Sequence, residues 1–226
     1  MVPPREGKRG GGDRVLRAGL ARGEREEPGW GRYNYLLQGS RPADSTQTAR
    51  FRAVVTRFLA RLDDIADYTA AAEQSLAPGD TAWRRNFSLT LIPLRAPPGA
   101  GTDSADRVMA NYDYARAKLL LASLPGTHAD GPYLVSVAQP LSAGPEAARD
   151  FVLVDLSHIS PALAAQWTNY FVQQAAVDYP RSGFDMRRGL LVMRTALAQL
   201  GAGTSEIGRG LATWRKLFED SVSWAK

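Results

Sequence analysis

The order of apolar and polar positions divides the chain into short strands and longer helices. Four runs either alternate with the period of a strand or are apolar throughout, and the first two end at Gly39 and Pro93. These runs predict strands over residues 33–38, 87–92, 133–137 and 151–155.

Apolar residues at helical spacing predict the helices. The clearest helix begins after Asp44 or Ser45 as N-cap and carries Phe58 and Leu62 toward the core. Ser160 followed by Pro161 is the preferred start of a later helix. The predicted helices cover residues 45–75, 104–124, 160–178, 185–200 and 205–225.

The order β-α-β-α-β-β-α-α-α predicts an α+β fold with an α/β-like start. We expect a single mixed sheet of about four strands with helices packed on the sheet. The first strands suit parallel crossovers, whereas the last two should pair antiparallel.

The composition changes at Pro28. Residues 1–28 are rich in charge and glycine and poor in large apolar side chains, so they predict a mobile charged N-terminal tail that is dispensable for folding. Residues 29–226 predict a single α+β domain, long enough to bury a core without disulfides.

The amino-acid composition excludes several kinds of catalytic and metal site. The chain has no cysteine and only two histidines, His128 and His158, which rules out thiol catalysis, disulfides and Cys/His zinc sites. We predict no cofactor and no metal.

The net charge of +5 comes mainly from arginine, in an arginine- and alanine-rich balance typical of GC-rich bacterial genomes. We therefore consider a protein a better candidate partner than nucleic acid.

One group of residues suits catalysis. Asp155, Ser157 and His158 follow a buried strand, and ligands of α/β proteins bind beside such strand ends. These residue types suit nucleophilic or general-base work. The alternative is a loop histidine beside a serine that bonds nearby backbone, and the sequence contains no Gly-x-Ser-x-Gly elbow.

A second candidate surface lies near the C-terminus. The stripe from Ile207 to Val222 includes Trp214 and Phe218, and Trp224 lies just beyond. Such a stripe either covers its own sheet or docks on a partner or a membrane surface. We favour packing of this stripe within the chain, with some of its aromatic surface left for a partner. The candidate interaction residues are Trp214, Phe218 and Trp224.

No apolar run approaches the roughly 20 residues of a membrane span, and the N-terminus does not resemble a secretory signal. We expect a soluble protein, cytoplasmic by default, with peripheral membrane contact left open. The leading hypothesis is a non-catalytic protein-interaction module, or accessory subunit of a larger bacterial assembly, that binds a protein partner or a second copy. The alternative is a small hydrolase- or transferase-like enzyme at Asp155, Ser157 and His158. Electrostatic binding to nucleic acid or an anionic membrane ranks below both.

Replacing Trp214 distinguishes the two interpretations of the C-terminal stripe. If Trp214 packs on its own domain, Trp214→Ala should lower the free energy of unfolding by about 3–5 kcal/mol. Tryptophan quenching, compared with Trp214→Phe as the control, measures its exposure. A fully quenchable Trp214 in a folded, monodisperse sample would contradict packing within the chain.

Overall fold

A computed structural model describes residues 15–65, 81–97, 104–124, 130–144 and 151–177 of the chain. These residues form one mixed sheet with helices packed on it, which confirms the α+β class. The strands are β1 (Val15–Ala21), β2 (Arg32–Leu37), β3 (Asp63–Asp64), β4 (Ser88–Leu94), β5 (Tyr133–Val137) and β6 (Phe151–Asp155). The helices are α1 (Ser45–Arg61), α2 (Ala105–Ala110), α3 (Tyr114–Ala122) and α4 (Pro161–Val177).

The sheet has the strand order β3-β1-β4-β2-β5-β6. The strands β3, β1, β4 and β2 are mutually parallel, and β5 runs antiparallel to both β2 and β6. The predicted antiparallel pairing of the last two strands is thereby confirmed. Six strands replace the four that were expected, because β1 and the two-residue β3 were missed.

The first strand corrects the predicted tail. Val15–Ala21 pairs with β4 along its whole length, and Val15, Leu16 and Leu20 are buried. The prediction of a mobile tail is therefore wrong for the part of residues 1–28 that forms β1. Residues 1–14 lie outside the described residues. A deletion that reaches into β1 removes a strand that lies between β3 and β4, so we expect such a deletion to destabilise the fold.

A short crossover segment, residues 22–31, connects β1 to β2. Both strands run parallel to β4, so the segment must return from the C-terminal end of β1 to the N-terminal end of β2. Its Glu26 is buried and accepts a hydrogen bond from the Tyr35 hydroxyl at 3.0 Å and a second from Ser142. These bonds satisfy a carboxylate that would otherwise be costly to bury.

Helix α1 begins as predicted and ends early. The Asp44 carboxylate accepts the Gln47 N–H at 2.8 Å, which confirms the N-cap. Its inner face buries Phe51, Val54, Val55 and Phe58 at helical spacing. The helix was expected to continue to residue 75 but stops at Arg61.

The early stop has a tertiary cause. Leu62 is extended, and Asp63–Asp64 pairs with β1. The Arg17 guanidinium of β1 donates to the Leu62 carbonyl at 3.2 Å and forms an ion pair with Asp64. Residues 66–80, which the predicted helix included, lie outside the described residues.

The predicted helix over 104–124 is two helices. The helical conformation is interrupted at Tyr112, which forms a β-bridge with Leu94 at the end of β4. Asp113 then caps α3 by accepting the Arg116 N–H at 3.1 Å. Pairing with the end of β4 therefore overrides a continuous apolar pattern.

Buried Tyr112 ties this break to the centre of the sheet. Its hydroxyl donates to the Leu36 carbonyl at 2.9 Å and accepts the Gln38 N–H at 2.8 Å. Burial is the main reason that its pKa is raised, and it therefore stays protonated as a donor.

Helix α4 starts as predicted, with the Ser160 hydroxyl accepting the Leu163 N–H at 3.3 Å. It packs on α1, and the Ala175 carbonyl near its end accepts a hydrogen bond from Ser88 of β4. The predicted helices over 185–200 and 205–225 lie outside the described residues. Among the helices that are described, none is both long and apolar enough to cross a membrane.

Truncating Phe58 tests the buried face of α1. Phe58 is fully buried in the main core cluster, so Phe58→Ala should lower the free energy of unfolding by about 3–5 kcal/mol. Leu119→Ala is the matched control, because Leu119 is 73% exposed and its loss should change stability by less than about 0.5 kcal/mol. Similar losses for both variants in chemical denaturation would contradict the assignment.

Candidate functional site

The predicted catalytic residues lie at a polar edge of the sheet, where β2 and β6 end and β5 begins. Leu37, Tyr133 and Asp155 are register partners across these three strands. The loops that follow β2, precede β5 and follow β6 therefore meet at one edge. The structure thus places Asp155 at the end of β6, as the sequence predicted, and a ligand site at these loops stays a prediction.

Hydrogen bonds join these loops to one another. The Asp130 carbonyl accepts the Gly39 N–H at 3.0 Å and the Gln38 side-chain amide at 2.7 Å, while its carboxylate accepts the Ser40 hydroxyl. Gly131 has a φ of +85°, and a Cβ there would lie 3.1 Å from the Leu37 carbonyl oxygen. Glycine is therefore required where the loop meets β2.

Asp155 and Ser157 are in contact, but the Asp155 carboxylate bonds the backbone N–H of Ser157 and not its hydroxyl. The Asp155 carboxylate accepts the Ser157 N–H at 2.8 Å, and the buried Ser157 hydroxyl accepts the Gly131 N–H at 3.2 Å. His158 is exposed, and within the described residues no hydrogen bond joins it to either of them. These contacts fit the alternative in which the serine satisfies nearby backbone. The catalytic assignment stays a prediction.

Arg50 was missed by the sequence reasoning. This arginine of α1 is 8% exposed, and its guanidinium donates to the Ile159 carbonyl, in the turn that follows Ser157. Burial lowers the pKa of Arg50, and the negative charges of Asp44 and Asp155 oppose that shift. Arg50 therefore links α1 to the loop of the predicted site and lies within the field of Asp155. Its neighbours Phe51 and Val54 look like core, and nothing in their spacing indicates this role.

The other predicted residues lie elsewhere. Trp214, Phe218 and Trp224 are outside the described residues, so their interaction role stays a prediction. Among the residues that are described, no three histidines, aspartates or glutamates form a group that could hold a metal ion.

An open groove of about 700 Å³ lies on the outer side of α1 and is here called the α1 groove. Most of its lining side chains are small, and two are arginines. Seven of its residues belong to α1 and one to α4. The lining residues are Ser45, Thr48, Ala49, Arg52, Ala53, Thr56, Arg57 and Ala165.

The electrostatics of the α1 groove are one-sided, because none of these eight lining residues is acidic. Arg52 forms an ion pair with Asp106 of α2, but 47% of the Arg52 side chain and 70% of the Asp106 side chain are exposed. Arg57 is exposed and makes no hydrogen bond or ion pair to the residues described. The groove thus presents two cations: Arg52, in an exposed ion pair, and Arg57, which has no ion pair with the described residues.

A sequence signal for the α1 groove existed. Ser45, Ala49, Ala53 and Thr56 recur at helical spacing on the side of α1 opposite to Phe51 and Phe58. Small residues on the outer face of an amphipathic helix, where long polar side chains are usual, mark a place where another chain can approach closely.

No protein-family model, curated protein or solved structure matches the chain.

Replacing Ser157 tests the role of the polar edge. Ser157→Ala leaves the buried Gly131 N–H without its acceptor and should lower the free energy of unfolding by about 1–3 kcal/mol. His158→Ala is the control, because exposed His158 should change stability by less than about 0.5 kcal/mol. A neutral Ser157→Ala in urea denaturation would contradict a structural role.

Proposed function

We propose that the protein is a non-catalytic interaction module that binds another polypeptide chain in the α1 groove. The observation that carries this proposal is the groove itself, an open concave surface lined largely by small side chains, three of them alanines. Small-molecule sites usually enclose most of their ligand, whereas this groove is largely open to solvent. Such a shape suits an elongated partner, as in helix-in-groove recognition.

The dimensions of the groove fit a helical segment. From Ser45 to Arg57 the helix rises about 18 Å, which is a little over three turns. The methyl groups of Ala49, Ala53 and Ala165 let a second backbone approach closely, since the distance between packed helices depends on the side chains at the contact. The hydroxyls of Ser45 and Thr56 can bond the polar edge of a partner.

The enzyme alternative has weaker support at the polar edge. A nucleophile needs a base within hydrogen-bond reach. Ser157 accepts a backbone N–H instead, and His158 is exposed without a described bond to it. An interaction module requires no such pair, so the contacts at this edge favour it.

Nucleic acid is a weaker candidate for the groove. Proteins that bind DNA electrostatically neutralise roughly 6–10 phosphates. The groove offers only Arg52 and Arg57, and Arg52 already shares its charge with Asp106.

Photo-crosslinking from the groove tests the proposal, and the cysteine-free chain makes single-thiol labelling specific. The full chain with Ala49→Cys carries a benzophenone at an exposed groove position. Irradiation in an extract of the source cells should give one discrete adduct with a polypeptide. Excess wild-type chain should suppress the adduct, whereas excess Ala49→Trp should not, because the indole fills the groove.

Lys118→Cys on α3 is the matched control, since Lys118 is exposed and lies outside the groove. The same adduct from both positions, or an adduct that Ala49→Trp suppresses as well as wild type does, would contradict the proposal. Absence of any adduct would also contradict it. A competed adduct with a second copy would support the homo-oligomeric form of the module.

A further inference from the structure

We infer that the α1 groove selects an acidic helical segment of a separate protein, which specifies the partner of the interaction module proposed above and rests on that proposal. The inference follows from charge complementarity. The groove has two arginines and no carboxylate among its described lining residues. A partner that brings carboxylates satisfies both cations, whereas a basic partner is repelled.

Arg57 is the primary contact. It is exposed and has no hydrogen bond or ion pair within the described part of the chain, so a partner carboxylate can bind it without breaking an existing bond. Arginine is suited to this task because its planar guanidinium can donate two parallel hydrogen bonds to one carboxylate.

Arg52 is a secondary contact, because a partner carboxylate must first replace Asp106 in its ion pair. Its ion pair with Asp106 is solvent-exposed on both sides, and such pairs contribute little to stability. A partner carboxylate can therefore replace Asp106 with little loss. Arg52 and Arg57 are five residues apart, which separates them by about 7.5 Å along the axis of α1 and by about 140° around it, so the two arginines meet a partner in the groove from different sides.

A second copy of the chain is a poorer occupant. Each chain carries a net charge of +5, and two-fold pairing through this surface would bring the same arginines of both copies together. Like charges at such short range oppose association. The sequence from Ser205 to Lys226 is also a poor occupant, because its basic residues outnumber its acidic ones.

The test uses a synthetic peptide as the probe. A capped alanine-rich helix of 17 residues, the length of α1, carries glutamates along both sides of one face, and its counterpart carries lysines at the same positions. Each is titrated into the ¹⁵N-labelled full chain at low salt. The acidic peptide should shift amide resonances of residues 45–57 and of Ala165, and the basic peptide should not.

Variants measure the contribution of the arginines. Arg52→Gln combined with Arg57→Gln should weaken binding of the acidic peptide about tenfold, and added salt should weaken binding to the wild type. Lys118→Gln removes the same charge outside the groove and should change the affinity by less than about twofold. Unaltered stability of all variants in urea excludes unfolding as the cause.

The outcomes separate this inference from the proposal on which it rests. Equal shifts with both peptides, shifts outside the groove, or unchanged affinity in the double glutamine variant would overturn the acidic partner. If the acidic peptide fails to bind while the competed adduct from Ala49→Cys persists, the groove binds a polypeptide of other chemistry. Loss of both results would overturn the groove as a docking site.

Discussion

Three adjacent parallel strands, β1, β4 and β2, impose the rest of the architecture. Parallel neighbours cannot be joined by a tight hairpin, so each connection must return the chain to the starting edge of the sheet. Residues 22–31 make one return, and the chain through α1 makes another. The first return buries Glu26, whose carboxylate therefore depends on Tyr35 and Ser142 for donors. The second presents the outer side of α1, and with it the α1 groove, to other molecules.

The polar edge and the α1 groove use polar residues in opposite ways. At the edge, Asp130 and Ser157 bond backbone groups of neighbouring loops. In the groove, Arg57 lacks a partner in the described chain, and Arg52 has an exposed one. The Asp130 carboxylate and the Ser157 hydroxyl are thus bonded within the fold, whereas the Arg57 guanidinium has no partner among the described residues.

Sequence patterns predicted what depends on local order. The strands β2, β4, β5 and β6 contain the apolar or alternating runs that predicted them, although β4 continues through Pro93 to Leu94, and α1 has a cap and a regular stripe. Strand β1 escaped notice because Arg17 and Gly19 are weak strand formers, and its burial comes from residues far along the chain. The contacts of Arg17 with Leu62 and Asp64, which accompany the end of α1, are equally distant in sequence. At the edge, Asp155 and Ser157 were placed correctly at a strand end, but hydrogen-bond partners such as Gly131 depend on pairing that no periodicity reveals.

The pairing of β1 with β4 has a consequence for biosynthesis. Val15 pairs with Ser88 and Ala21 with Leu94, so β1 cannot complete its pairing until β4, which is translated much later, has been made. Until then Leu16 and Leu20 have no β4 surface on which to pack, and the edge of β1 has no β4 hydrogen-bonding partner. Contacts between such distant segments form slowly, because a long loop must close before any pairing is gained. Until β4 is available, β1 is therefore open to chaperones and to mispairing with other strands.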